Sequence, residues 1–327
     1  MLEVCGQVTQ VQLKENYLFK GKIEITLSGF DIQIDKLLIS SNEQFLALIL
    51  SRGYNNVEEM HKLFIIYDLN TTKQISLGSW TSFGALNQRI QHEFDGHSKF
   101  FIQIQQDMVS IVNLQQKTLK NFLVVGVQKF LDIDDDNQIY LQLFQDGCLC
   151  VIKYSINQEQ IMSYFAFGNN INSLKIMQNF ILMQEMILDS FYLCLYLKKN
   201  KKSFPKKKIK LNCLNIQDFF ILQNQFLVEL YQQEEERKEV RLREIRSGKI
   251  IRTNEDISGL FYQLVVDKND AFLFLEDENN KIQKFDFLKG KMKEHLLQKK
   301  GQWFTFGKRI IVFSKGEQLN LKFIRFL

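Results

Sequence analysis

The 327-residue sequence contains a single proline and only 16 glycines. Its five cysteines, at positions 5, 148, 150, 194 and 213, are too few and too scattered for the disulfide framework of a small secreted domain. Its four histidines, at positions 61, 92, 97 and 295, have no spacing typical of a metal site, and no glycine-rich phosphate loop is present. We therefore expect no metal, no cofactor, no small-molecule substrate and no catalytic residues.

A strong net charge of either sign is also absent. The chain has 42 basic and 37 acidic residues, which gives a net charge of +5, too mild to indicate nucleic-acid binding by itself. The N-terminal segment lacks the pattern of a signal peptide. The most apolar segment, residues 179–199, is interrupted by Gln184, Glu185 and Asp189, whereas a membrane span needs about 20 nearly uncharged residues. We expect an intracellular chain, cytoplasmic or nuclear, with no membrane span.

A repeated strand is the main positive feature of the sequence. The segment "IIYDL", which ends at Leu69, has similar counterparts that end at residues 114, 154, 197, 245, 287 and 324. The mean spacing of these seven segments is 42.5 residues, and four-stranded propeller blades have ~40–45 residues. Upstream of most copies, two apolar runs flank a short polar turn such as "SSNEQ", "DDDN" or "DKND", which predicts a hairpin.

These motifs resemble those of WD-repeat β-propellers, in which the third strand of each blade ends in Trp-Asp after an upstream structural Asp. Asp107 in "QDMVSIVNL" and Asp146 in "QDGCLCVIKY" occupy the place of that structural Asp, and Tyr67 replaces the Trp in "IYDL". The resemblance implies an all-β, seven-bladed propeller, although six or eight blades also fit the spacing. The chain departs from the family because neither Trp80 nor Trp303 precedes an Asp. We therefore expect the sheets to be held together mostly by apolar packing.

The whole chain is predicted to form one propeller domain. The expected blades are residues 27–79, 80–122, 123–168, 169–212, 213–256, 257–298 and 299–327. The last of these supplies about three strands, and the N-terminal region 2–26, which includes "GKIEITL", is expected to add the missing strand. Pairing of the N- and C-terminal strands would leave only short, protected sheet edges.

Two charged segments are candidates for a functional surface. The first, residues 198–210, is predicted to be an exposed loop that contacts an anionic partner. Its eight lysines are Lys198, Lys199, Lys201, Lys202, Lys206, Lys207, Lys208 and Lys210. A solvated loop without a specific role explains it as well. The second, residues 231–249, mixes both signs of charge and is predicted to be a hairpin with self-compensating charges. The "DIDDDN" segment from residue 132 is predicted to be a polar turn, and Cys148 and Cys150 are predicted to be small buried residues.

Three functions remain open at this point. What the family resemblance implies is a non-catalytic scaffold for protein–protein interaction, a subunit of an intracellular complex. The alternative is an accessory subunit of an RNA-associated or RNA-modifying complex that contacts phosphates through the lysines. The third is an enzyme with a site in the central channel, which would need polar residues that converge from several blades. A propeller fold alone does not decide among them.

Overall fold

The structure is a computed structural model in which the chain folds into β-strands joined by turns. It describes residues 7–8, 22–26, 32–52, 59–71, 73–83, 90–134, 136–167, 171–177, 180–187, 190–197, 207–211, 216–234, 237–266, 270–298, 304–307, 310–314 and 320–325. The strands in chain order are β1 (Gln7–Val8), β2 (Lys22–Thr26), β3 (Ile32–Ile39), β4 (Phe45–Arg52), β5 (Glu59–Asp68), β6 (Lys73–Phe83), β7 (Ile90–Phe94), β8 (Phe100–Gln105), β9 (Met108–Asn113), β10 (Thr118–Leu123), β11 (Val127–Ile133), β12 (Gln138–Gln145), β13 (Cys148–Ser155), β14 (Gln160–Phe167), β15 (Ile171–Met177), β16 (Phe180–Ile187), β17 (Ser190–Leu197), β18 (Lys207–Lys210), β19 (Ile216–Leu222), β20 (Phe226–Glu234), β21 (Arg237–Glu244), β22 (Ile250–Ser258), β23 (Leu260–Val266), β24 (Ala271–Glu276), β25 (Lys281–Asp286), β26 (Lys291–Gln298), β27 (Phe304–Phe306), β28 (Ile310–Ser314) and β29 (Asn320–Arg325).

The strands belong to two compact units. One unit, residues 1–123 and 299–327, contains the four-stranded sheets β3–β6 and β7–β10 and a five-stranded sheet of order β1-β2-β29-β28-β27. The other, residues 124–298, contains the four-stranded sheets β11–β14, β15–β18, β19–β22 and β23–β26. Neighbouring strands within each sheet are antiparallel, as expected when short turns join successive strands.

The number of blades differs from the expected seven. Six sheets consist of four consecutive strands each, so the structure has six blades of the predicted kind, a number that the repeat spacing left open. The difference arises at the ends of the chain, because the seventh repeat supplies only three strands, β27, β28 and β29. The approximate blade boundaries given above remain a prediction.

The expected pairing of the two ends of the chain is confirmed. Strand β2, from the "GKIEITL" segment, pairs with β29 so that Lys22, Ile23 and Glu24 lie opposite Lys322, Leu321 and Asn320. Strand β1 then pairs with β2, which makes the five-stranded sheet. Residues from both ends therefore complete one sheet.

A tight turn with the same geometry recurs in both units. At Asp95, one carboxylate oxygen accepts hydrogen bonds from the N–H groups of Lys99 and Phe100, at 2.7 and 2.6 Å, and the other accepts one from His97 at 3.0 Å. Asp134 and Asp277 accept equivalent bonds from residues two and four positions later. The residue three positions after each of these aspartates has a positive φ, between 55° and 58°. The "DIDDDN" segment is thus a polar turn between β11 and β12, as predicted.

A second recurring feature ends the third strand of five sheets. Asp68, Asn113, Ser155, Glu244 and Asp286 each lie opposite the start of the second strand, or one residue inside it. Four of these side chains accept hydrogen bonds from backbone N–H groups of the following turn. In the third sheet this position is Ser155, so the predicted repeat ending at Tyr154 was wrong in register. In this sheet Ile156 is the residue equivalent to Leu69. The Leu69 N–H donates to the carbonyl of Gln44, directly before β4, and the Ile156 N–H donates to the carbonyl of Asn137, directly before β12.

The core forms where apolar faces of successive sheets meet within each unit. In the first unit, Phe45 and Phe64 belong to the same buried cluster as Phe101, and the Phe64 and Phe101 rings are 5.1 Å apart. In the second, Val240 and Leu242 of β21 pack into a cluster with residues of β24 and β25. Since side chains alternate between the faces of a strand, the residues between them are free to form polar contacts.

Candidate interaction surfaces

The structure divides the predicted lysine segment. Lys198, Lys199, Lys201, Lys202 and Lys206 lie outside the described residues. The other three, Lys207, Lys208 and Lys210, lie on β18, the fourth strand of its sheet, where they pair with β17. Five of the eight predicted lysines thus lie outside the described residues, and the other three lie on a strand rather than in the predicted loop. Anion binding by this segment stays a prediction.

Lys207 makes structural contacts with the next sheet. Its Nζ donates hydrogen bonds to the backbone carbonyls of Ile245 and Arg246, at 2.8 and 2.9 Å, in the turn after β21. Ile209, on the same face of β18, is buried in the cluster between the two sheets. Lys208 and Lys210 alternate with these residues and are exposed. Lys207 therefore holds two sheets together, and of the three described lysines of this segment only Lys208 and Lys210 are exposed to solvent.

The charged hairpin predicted for residues 231–249 is confirmed as strands β20 and β21. On one face, Glu229 is fully buried and accepts hydrogen bonds from Arg243 Nε and Nη2, at 3.0 and 3.2 Å. The Tyr231 hydroxyl also donates to Glu229, at 3.2 Å, and the Arg241 guanidinium lies 4.5 Å from the Tyr231 ring centroid. Arg241 pairs in turn with Glu239. The charges of this hairpin compensate one another inside the protein.

The two predicted blade-turn aspartates lie in hairpin turns between second and third strands. Asp107 follows Gln106, which has φ 52°, in the turn between β8 and β9. Asp146, with φ 51°, and Gly147, with φ 78°, form the turn between β12 and β13, and Asp146 is exposed. Two residues with positive φ are typical of the tight turns favoured in hairpins. Their role as structural aspartates of the family stays a prediction.

The sequence predicted the "DIDDDN" segment to be a polar turn, but it did not identify the three aspartates whose side chains accept the backbone hydrogen bonds of these turns. Asp95 and Asp134 precede the second strand of their sheets, and Asp277 precedes the third. Burial raises the pKa of the Asp95 carboxyl above its usual value, and the hydrogen bonds from Phe100, His97 and Lys99 offset part of that rise. The signal in the sequence was an Asp followed three residues later by Ser or Asn, directly before a strand.

Large exposed apolar side chains are concentrated on the fourth strands of several sheets. In the first unit they include Leu119 and Leu123 of β10, and in the second they include residues of β14 and β22. The members on β14 and β22 are Ile161, Met162, Tyr164, Ile250 and Ile251. Single exposed apolar residues are ordinary, but several on one strand mark a surface for interaction.

The cysteine pair of β13 lies beside one of these fourth strands. Cys150 is buried, as predicted, whereas Cys148 is half-buried. The Cys150 sulfur and the Tyr164 hydroxyl of β14 are hydrogen-bonded at 2.6 Å, and this bond raises the pKa of Tyr164 to about 12. The contact holds the Tyr164 side chain against its own sheet. Cys150 thus has a structural partner.

Across the described ranges, no group of three or more His, Cys, Asp or Glu side chains is arranged to hold a metal ion. In that same part of the chain, no helix is long and apolar enough to cross a membrane.

No family profile matches the sequence, and no curated protein matches it. Solved structures do match the fold. The β-propeller domain of the Trilobed protease from Pyrococcus furiosus, described as having an open velcro topology, has a TM-score of 0.60 and 10% identity, with coverage of 91% of this chain and 94% of that one. A chain in a crystal structure of the mitotic checkpoint complex has a TM-score of 0.55 and 9% identity, with coverage of 97% and 93%.

Raptor from Chaetomium thermophilum has a TM-score of 0.58 and 11% identity, and the match covers 90% of this chain but 28% of that one. At such low identities the similarity establishes the fold alone. The chain is an all-β protein with the β-propeller fold.

Proposed function

We propose that this protein is a non-catalytic scaffold that binds other proteins as a subunit of an intracellular multiprotein complex, in the cytoplasm or the nucleus. The observation that supports this proposal is the set of exposed apolar side chains on β10, β14 and β22. Each of these strands is the last in its sheet, and no strand in the described part of the chain pairs with its outer edge, so that edge and the exposed side chains can receive a partner.

The buried polar groups are consistent with a structural rather than a catalytic use. Glu229, Arg243 and Asp95 make their hydrogen bonds within the protein, to one another or to backbone groups. Two of the similar solved structures are those of the mitotic checkpoint complex and of Raptor, and the first is an assembly of proteins. These similarities make an assembly role reasonable for a propeller with exposed apolar strands.

The proposal is tested by affinity purification of the tagged chain from its own cells, with nuclease treatment. Ile251→Lys on β22 removes an exposed apolar side chain and adds a charge, whereas Thr253→Lys adds the same charge at an exposed polar position of the same strand. Leu119→Lys and Asn121→Lys form the equivalent pair on β10. We expect protein partners that remain bound after nuclease treatment. At least one apolar-to-lysine variant should lose these partners, whereas its matched control should keep them. A chain that purifies without specific partners would refute the scaffold proposal.

A second candidate is an accessory role in an RNA-associated complex, favoured by the exposed Lys208 and Lys210 on β18. Each phosphate contact that is lost should reduce the salt dependence of RNA binding by about one unit of slope. The test compares Lys208→Gln and Lys210→Gln with the unchanged chain, and leaves Lys207 intact because it contacts Ile245 and Arg246. RNA binding that is insensitive to salt and to both variants would exclude this candidate.

The finer count of seven blades is part of the proposal as well. We propose that the five-stranded sheet built from both ends of the chain acts as the seventh blade. The pairing of β2 with β29 and the seven similar strands in the sequence support it.

A further inference from the structure

Strand β14 differs from the other fourth strands in its surface. The strand order of its sheet is β11-β12-β13-β14, so β14 pairs with β13 along one edge, and nothing in the described part of the chain pairs with its other edge. Three large apolar side chains of β14 are strongly exposed, with relative accessibilities of 57% for Ile161, 45% for Met162 and 51% for Tyr164. Among the described residues, no other fourth strand has as many.

The second difference is charge. The sequence of β14 is QIMSYFAF, with no Asp, Glu, Lys or Arg, and it is the only one of the six fourth strands without a charged residue. Proteins usually protect an exposed edge with charges, especially lysine, because an edge is a template for pairing with another strand. Strand β18, KKIK, shows that protection. Strand β14 has a bulge at Met162, but from Ser163 to Phe167 it pairs residue by residue with β13.

We propose that β14 pairs antiparallel with β14 of a second copy of this chain and joins two sheets into one continuous sheet. In a symmetric antiparallel pair the same segment lies on both sides, so the net charge of the strand is doubled in the interface. Each of the other five fourth strands carries a net charge, and the three lysines of β18 would repel one another most strongly. An uncharged strand with exposed Ile, Met and Tyr is the one that fits a copy of itself.

The interface is small, because it consists of two strands of eight residues and their exposed side chains. Interfaces that bury less than ~1,200 Å² are typically weak and transient. The dimer is therefore expected to form with increasing protein concentration rather than to persist on dilution. This inference does not rest on the scaffold function, because self-association needs no other protein.

The test is sedimentation velocity of the full-length chain over a concentration series from the low micromolar to the high micromolar range. We expect the mean mass to rise from the monomer value of 38.7 kDa towards twice that value. Met162→Lys introduces a charge on each copy of β14 and should keep the chain monomeric at every concentration. Thr253→Lys, which adds the same charge on exposed β22, should dimerise like the unchanged chain.

A charge-swap experiment separates loss of pairing from loss of folding. Met162→Lys and Met162→Glu should each be monomeric, and an equimolar mixture should recover the mass of a dimer because a mixed pair carries opposite charges on its two β14 strands and no longer repels. An unchanged chain that stays monomeric throughout, or a Met162→Lys variant that dimerises normally, would overturn the proposal. A dimer lost equally with Thr253→Lys would place the contact elsewhere. A monomeric chain that still captures partners in the affinity purification would refute the dimer and leave the scaffold function standing.

Discussion

The buried ion pair between Glu229 and Arg243 permits a quantitative prediction. Glu229 is fully buried, and the side chain of Arg243 is 13% exposed. Arg243 donates two hydrogen bonds to the Glu229 carboxylate and a third, from Nη1, to the Gly248 carbonyl at 2.9 Å. Replacing Arg243 with Met keeps much of the side-chain volume but leaves a buried carboxylate with only the Tyr231 hydroxyl as a described partner.

Removing one partner of a buried ion pair typically costs about 3–5 kcal/mol, since the remaining charge keeps its desolvation penalty. Two lost charge-assisted hydrogen bonds at ~1.5–3 kcal/mol each lead to the same range. We therefore expect Arg243→Met to lower the free energy of unfolding by about 3–5 kcal/mol. The double variant Glu229→Leu with Arg243→Met should lose much less than the sum of the two single variants, because no unpaired charge remains.

The measurement is urea unfolding of the two single variants and the double variant. Their free energies of unfolding are compared with a common m-value, the slope of that free energy against urea concentration. Arg246→Met is a matched control, because Arg246 is exposed and only its backbone carbonyl is used by Lys207. A cost below about 1 kcal/mol for Arg243→Met, or additive effects in the double variant, would show that the pair is not buried as described.

Three further predictions concern turns and sheet contacts. Because burial raises the Asp95 pKa above its usual 3.8, the native chain binds that proton more tightly than the unfolded chain. The stability of the unchanged chain relative to Asp95→Asn should therefore be greatest at low pH and fall as pH rises through the window just above 3.8. A stability difference that does not change with pH in acid titrations would contradict this. Gly259→Ala should destabilise the protein by more than the ~1–2 kcal/mol expected for Gly147→Ala. A Cβ at position 259 would lie 2.9 Å from the Glu276 carbonyl oxygen, whereas a Cβ at position 147 meets nothing within 4 Å. Equal shifts of the melting temperature for the two variants would contradict this. Lys207→Met should lower the free energy of unfolding by ~1–3 kcal/mol, because two hydrogen bonds to carbonyls are lost. Lys208→Met, at an exposed position, should lower it by less than ~0.5 kcal/mol. Similar urea midpoints for both variants would show that Lys207 does not link the sheets.

The strand repeat was readable from the sequence because both its period and its local pattern follow from backbone geometry. Strands such as β5 and β9 combine a run of apolar residues with a short polar residue at the end, and Asp68 and Asn113 accept bonds from the turns that follow. Each of these signals is local. The hairpin of β20 and β21 was predicted from its place in the series of repeats, because locally the segment could also pass as a helix.

The features that were missed depend on how the folded chain brings groups together. The structural role of Lys207 depends on the turn at Ile245 and Arg246, which belongs to the next sheet. Asp95 was overlooked because its three backbone partners come together only when the turn closes. The blade count differed because the two ends of the chain form a five-stranded sheet rather than another four-stranded one, and a period measured on third strands does not show the number of strands in each sheet.

The pairing of β2 with β29 also sets an order of events during synthesis. Lys22 and Lys322 are opposite each other in the sheet yet 300 positions apart in the chain. At ~5–20 residues per second, a ribosome needs about 15–60 s to make the intervening chain. Strand β2 is therefore made about 300 residues before β29 and can pair with it only after that delay. A chain stalled or cut before β29 would leave β2 paired with β1 alone, with the edge that β29 covers open.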